Sequence, residues 1–208
     1  MIDDSIAEKA YTDENEIGCW HYDHAQERQG KGINFLSALY QVQAVSLPVG
    51  FRLVAKTEYY TDKKDGKTKR RSPVSKNEHY QALLRQAKRN QIPFRLVLND
   101  VWYASADNMM LVKHELETDF IMPLKSNRKL ALRSSEKQQG RYVRVDSLTL
   151  QAAVVREIYL EGVDFPLALV KQIFANEDAS SGIHYLVSSQ TDLTGDRMID
   201  LYRKRWNL

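Results

Sequence analysis

The chain has 208 residues, 43% hydrophobic and 27% charged, with a net charge of +3; this is the profile of a globular chain of one domain, or one domain with an insertion, long enough to bury a core. No run of about 18 apolar residues is present, which excludes a transmembrane helix, and the acidic "MIDDSIAEKA" at the start has no apolar stretch of the signal-peptide kind. Cys19 is the only cysteine, so an internal disulfide and a cysteine-rich zinc site are excluded, and a reducing cytoplasm suits the chain.

In chain order, a strand stub at Ile2 precedes Asp3 and Asp4, which lie just past its end. From Gly32, "GINFLSALYQVQ" and "VSLPVGFRLVAK" predict two strands split by a short turn. "TDKKDGKTKRRSPVSK" reads as a polar loop with Gly66 and Pro73 as breakers. A helix follows, opened by the Ser75-x-x-Glu78 capping box, with Tyr80, Leu83, Leu84 and Ala87 on its inner face. "IPFRLVLND" reads as a central strand buried on both faces and ending in Asp100. Ser105 caps a second helix that turns Met109, Val112 and Leu116 inward, and "DFIMPLK" is a further strand. Beyond Lys129 the character changes: "RYVRVDSLTL", "AAVVREIYLE", "PLALVKQIF" and "IHYLVSS" are all strand-like, which predicts a β-rich insertion. A closing helix begins near Gly195, with Met198, Leu201, Tyr202 and Arg205 on one face and Trp206 exposed.

Four groups of residues could carry chemistry. Carboxylates at strand ends, Asp3 or Asp4 with Asp100, could converge on a hard divalent cation, which takes oxygen ligands and leaves room for phosphate; each could equally cap a turn. Between Lys63 and Lys76, seven basic residues (Lys63, Lys64, Lys67, Lys69, Arg70, Arg71, Lys76) face one acid, Asp65. That density suits a phosphate backbone or a solvated loop. His21 and His24 have the spacing of a metal pair, but His79, His114 and His184 are scattered, so a loop or strand-edge role is the stronger reading. Tyr202 and Arg205 share a helix face, where the guanidinium offers a fork to phosphate and the ring offers a surface to an extruded base; a half-buried ring beside a snorkelling Arg is the alternative.

With those residues in place, the chain resembles the bacterial DDE transposases of the insertion-sequence-four type. "IDDSIAEK" matches the first acid, "LVLNDVWYAS" the second, "FIMPLKSNR" the stretch after it, and "YRKRW" the start of the signature Tyr-x2-Arg-x3-Glu-x6-Lys. The resemblance spans essentially the whole chain. It implies an α/β, ribonuclease-H-like (integrase-type) mixed sheet flanked by helices: a catalytic core over 1–128 with its first strand truncated, a β-rich insertion over 129–190, and the start of the closing catalytic helix, truncated, over 191–208. It implies Asp4, directly before Ser5, as the first catalytic acid, with Asp3 as the alternative, and Asp100 as the second. Two Mg2+ ions (or Mn2+) on these acids would serve in-line phosphoryl transfer at transposon ends. Tyr202 and Arg205 would hold the transposon strand. Lys125, Arg128, Lys69, Arg70 and Arg71 would meet the DNA backbone. The implied partners are terminal-repeat and target DNA, with a homodimer on paired ends, in the bacterial cytoplasm.

Departures from the pattern bear on activity. Three residues precede Asp4, where the family carries a DNA-binding region, and the signature's Glu falls at position 209, one past Leu208. The expectation is an internal fragment of the catalytic domain, inactive alone, since loss of one member of a catalytic unit costs orders of magnitude in rate. The competing expectations are a non-catalytic DNA-binding remnant, a nuclease of the same fold drawing a third acid from Glu115, Glu117 or Glu177, and an interaction module on the β-rich segment.

Overall fold

In a computed structural model, residues 1–23, 26–43, 45–175 and 180–206 are described. They are mixed α/β, with mostly antiparallel strands and few helices. The chain divides into two units, Ile2–Ile92, and Pro93–Leu208 with Met1.

In the unit Ile2–Ile92, strands β1 (Ile2–Glu8), β2 (Gly18–Asp23), β3 (Arg28–Val42) and β4 (Val45–Leu53) form one antiparallel sheet. β3 is 15 residues long and serves three partners. Ile33 pairs with both Ala7 and Gly18, and Leu36 pairs with both Asp4 and Arg52. β2 and β4 therefore follow one another along the edge of β3 opposite β1. Burial in β3 alternates through Gly30, Gly32, Asn34, Leu36 and Ala38, the two-residue period of a half-buried strand. Helix α1 (Lys76–Arg89) packs on β3 and β4 with Tyr80, Leu83, Leu84 and Ala87 buried, as its spacing predicts. Its capping box forms as read: Glu78 N–H donates to Ser75 Oγ at 3.2 Å, and Ser75 N–H donates to Glu78 Oε2 at 2.7 Å.

Three expectations change here. β1 is seven residues long rather than a stub, and Asp3 and Asp4 lie inside it. Its composition is too polar to show as a strand; backbone pairing with β3 along its whole length makes it one. β2 was not foreseen at all, because "GCWHYD" lacks a clean apolar alternation. The polar run is a hairpin rather than a loop, β5 (Glu58–Thr61) with β6 (Thr68–Arg71). Cross-strand pairs hold it: Arg71 Nε donates to Glu58 at 2.9 Å, and Arg70 lies 5.1 Å from the Tyr59 ring centroid. Gly66, at φ +66, lets the turn close.

The unit from Pro93 carries β7 (Leu96–Leu98), α2 (Ala106–Met110), β8 (Asp119–Leu124), β9 (Lys129–Ala131), α3 (Ser134–Gln138), β10 (Val143–Arg144), β11 (Arg156–Leu160), β12 (Leu167–Ala175), β13 (Ser181–Ser188) and α4 (Gly195–Arg203). The seven strands make one sheet in the order β10-β9-β11-β12-β13-β8-β7. The range 129–190 thus shares a sheet with β7 and β8 through the β13–β8 ladder. β7 and β8 are parallel, and Leu98–Ile121 is their last pair. Pro123, which cannot donate to a ladder, comes two residues later, where β7 no longer needs a donor.

β8 is buried on both faces from Phe120 to Leu124, which explains its unbroken apolar run. On one face α4 lays Met198, Ile199 and Tyr202 against Leu98, Ile121, Ala168, Val170 and Leu186. Ser105 caps α2 as predicted, and Met109, Val112 and Leu116 are buried. Thr194 caps α4, and Gly195 lets it dock, since a Cβ there would stand 1.9 Å from the Ala153 carbonyl oxygen. "RYVRVDSLTL" yields only the two-residue β10. Val145 and Asp146 spend their N–H groups on the carbonyls of Arg128 and Ser126, at 2.9 and 3.0 Å, and the chain turns. No helix among the described residues is long and apolar enough to cross a membrane.

Candidate functional site

Asp4 sits in the middle of β1, directly opposite Leu36 of β3. Alternation along the strand places it with buried Ile2, on the face that carries Leu36 and Ala38. Asp3 points to the other face, where its carboxylate accepts the Asp4 N–H at 3.0 Å. The Asp4 carboxylate is 23% exposed and forms an ion pair with the ammonium of Lys76, the first residue of α1. Lys76 entered the sequence reading only as one of a basic run; no signal in the chain links it to Asp4.

Asp100 follows β7, half-buried. It is the N-cap of a short 3-10 turn, Val101–Tyr103, and its Oδ1 accepts the Val101 N–H. The backbone just before it is clamped from α4 and from the 3-10 turn that follows it, Lys204–Trp206. The Tyr202 hydroxyl donates to the Asn99 carbonyl at 3.3 Å, and Arg205 Nη1 donates to that hydroxyl at 2.9 Å. Asn99 is fully buried, and its Nδ2 donates to the Asp100 carbonyl at 2.8 Å. Tyr202 and Arg205, read from sequence as one face of a helix, are thus joined to each other and to the peptide beside Asp100. They are 2% and 4% exposed, so the ring is part of the core and the guanidinium lies against it. His184 of β13 stands edge-on to Tyr202, 6.4 Å between ring centroids. Burial lowers its pKa, and Arg205 adds to this while Asp100 opposes it.

Lys125 lies just past β8, exposed, with its Nζ 4.1 Å from the Trp102 ring centroid. Arg128 closes the same turn by donating its N–H to the Lys125 carbonyl at 3.1 Å. The carboxyl ends of two parallel neighbours therefore carry Asp100 and Lys125.

The hairpin divides the basic run. Lys69 pairs with Asp62 and, at 3.0 Å, with Asp65, and the hydrogen bonds it donates to both carboxylates hold its ammonium pKa above the usual value. Arg71 pairs with Glu58. Among the described residues Lys63, Lys64, Lys67 and Arg70 have no ion pair, and the three lysines are exposed. Exposed pairs are worth about 0–1 kcal/mol, so phosphate can compete for Lys69 and Arg71.

His21 is buried, with Nε2 3.4 Å from Cys19 Sγ. His24, at metal-pair spacing from it, lies outside the described residues, as does Glu177. Glu115 and Glu117 are exposed on the unit from Pro93. No group of three or more His, Cys, Asp or Glu side chains is gathered for a metal among the described residues. Each of the two Asp residues presents carboxylate oxygens in a half-buried setting, the hard donor type that Mg2+ prefers.

A protein-family model described as DDE superfamily endonuclease matches residues 1–149, a span that includes both Asp4 and Asp100. No curated protein matches the chain.

Proposed function

Because the chain belongs to the DDE superfamily endonucleases, we propose that it serves DNA transposition of the insertion-sequence-four type, by cut-and-paste phosphoryl transfer at transposon ends on a ribonuclease-H-like core. The observation that carries this reading is the clamp around Asp100. The Tyr202 hydroxyl bridges Arg205 and the Asn99 carbonyl, so two signature residues about a hundred positions away are spent on holding one acid.

Asp4 and Asp100 are the two carboxylates that would hold Mg2+ or Mn2+, and Lys76 forms an ion pair with Asp4. A bound divalent ion would supply Lewis-acid charge at the scissile phosphate and its attacking hydroxyl. Tyr202 and Arg205 keep the Asn99–Asp100 peptide in place, which fixes where the Asp100 carboxylate points. Lys125, Arg128, Arg70 and the hairpin lysines supply positive charge to the DNA backbone, joined by Lys69 and Arg71 when phosphate displaces their carboxylates. Terminal-repeat and target DNA are the partners, and a homodimer on paired ends is the working assembly.

The test is binding of a labelled duplex across a salt series. A phosphate-driven complex loses affinity with a log–log slope of about −0.9 per phosphate neutralised, and Lys125→Ala with Arg128→Ala should flatten it by about two such steps. Absence of binding even at low salt contradicts the reading.

A further inference from the structure

We propose that the β5–β6 hairpin enters the major groove of duplex DNA, tip lysines first, with its Tyr59–Arg70 face turned to the base edges. The inference rests on the DNA reading above and deepens it by naming the groove and the element that fills it.

The hairpin concentrates the charge of the chain. From Glu58 to Arg71 it carries six basic side chains and three acidic ones, a net +3. The whole chain is also +3, so all the other residues together balance to zero. The carboxylates are unevenly placed. Successive side chains of a strand point to opposite faces, and partners in register share a face. Glu58–Arg71 and Tyr60–Lys69 therefore lie on one face, and Tyr59–Arg70 and Thr61–Thr68 on the other. The first face is neutralised: Arg71 holds Glu58, and Lys69 holds Asp62 and Asp65. The second has no carboxylate. It carries a guanidinium and two threonine hydroxyls, groups that hydrogen-bond base edges.

The turn adds the leading charge. Asp62 Oδ1 accepts the Lys64 N–H at 2.9 Å, and Asp65 Oδ1 accepts the Lys67 N–H at 3.1 Å. Both acids of the turn are thus committed to its backbone and to Lys69. Lys63, Lys64 and Lys67 are exposed and have no ion pair among the described residues.

Dimensions select the groove. β5 and β6 form a two-stranded sheet of their own, and β5 is exposed throughout. The major groove, about 12 Å wide and about 8.5 Å deep, admits a two-stranded ribbon. Four residues per strand span about 14 Å, enough to carry the tip to the groove floor. The minor groove of undistorted DNA, about 6 Å wide, is too narrow for two strands with their side chains.

The experiment measures duplex binding over a salt series, on unmodified DNA and on the same sequence with glucosylated 5-hydroxymethylcytosine, whose sugars fill the major groove. The proteins are the wild-type chain, the triple variant Lys63→Ala, Lys64→Ala and Lys67→Ala, Arg70→Ala and Arg71→Ala. The wild type should bind the glucosylated duplex several-fold more weakly. The triple variant should flatten the salt slope by about 0.9 per lysine and no longer distinguish the two duplexes, with an unchanged urea midpoint. Arg70→Ala should weaken binding to unmodified DNA more than Arg71→Ala, because Arg71 must first leave Glu58. Equal wild-type affinity for the two duplexes, or equal sensitivity to glucosylation in the triple variant, overturns the groove insertion and leaves the DNA reading standing. A greater loss in Arg71→Ala than in Arg70→Ala overturns the choice of face. No binding of either duplex by the wild-type chain at low salt overturns both the insertion and the DNA reading.

Discussion

Lys76 and Asp4 form an ion pair across 72 residues of chain, tying the first turn of α1 to the middle of β1. The lysine pairs with the Asp4 carboxylate on the face of β1 that carries Ile2, so it competes with any other cation at that carboxylate. Lys76→Ala should strengthen Mn2+ binding several-fold while changing folding stability by no more than about 1 kcal/mol, the worth of a partly exposed pair. Lys76→Arg should behave like the wild type. Titration with Mn2+, followed by electron paramagnetic resonance, reads the first effect, and urea unfolding reads the second. Weaker Mn2+ binding in Lys76→Ala would contradict the competition.

Tyr202→Phe keeps the ring in the core and removes only the hydroxyl. Arg205 then loses one acceptor and the Asn99 carbonyl loses one donor in a buried place. The expected cost is about 1–3 kcal/mol in urea unfolding, the range for stranding buried polar groups. A variant as stable as the wild type would show that the clamp holds nothing.

The pH dependence follows from His21. Burial first, then the charges of Lys56 and Lys76, lower its pKa from 6.5 to about 4. Below 6.5 the unfolded chain takes up a proton that the folded chain refuses until about pH 4. The contribution is therefore complete above 6.5, is lost as pH falls through that window, and changes no further below it. His79 and His184 are also lowered, both mainly by burial, and act in the same direction. His21→Gln should lessen the acid-side fall in urea midpoint, by up to about 3 kcal/mol in stability. An unchanged fall between pH 6.5 and 4 would show that His21 is charged when folded.

What could be read beforehand divides along physical lines. Capping and periodic apolar faces are local, so α1 with Ser75 and Glu78, α2 with Ser105, and α4 with Met198 and Tyr202 were all legible. β8 and β12 were legible as apolar runs. β1 was not, because its residues are polar and only the ladder with β3 makes it a strand. The hairpin was hidden by charge: Lys69, Arg70 and Arg71 read as a solvated loop until Asp62, Glu58 and Tyr59 came opposite them. In the site, Asp3 or Asp4 with Asp100 stood out as acids at strand ends, a resemblance chose Asp4 over Asp3, and Tyr202 and Arg205 stood out by their shared face. Their partners Lys76, Asn99 and His184 were not, since each pairing is set by distant parts of the chain. Trp102 stood in the quoted stretch but carried no signal of exposure.

Asp4 and Asp100 are each proposed to bind divalent metal. Mn2+ binding by the wild-type chain, Asp4→Asn, Asp100→Asn and the double variant, read by electron paramagnetic resonance in the presence of DNA, tests it most directly. Saturable binding in the wild type is expected, with a loss of about tenfold or more in each single variant, in line with removal of a charged ligand from a carboxylate site. Mn2+ binding that is equally tight in all four proteins would contradict it.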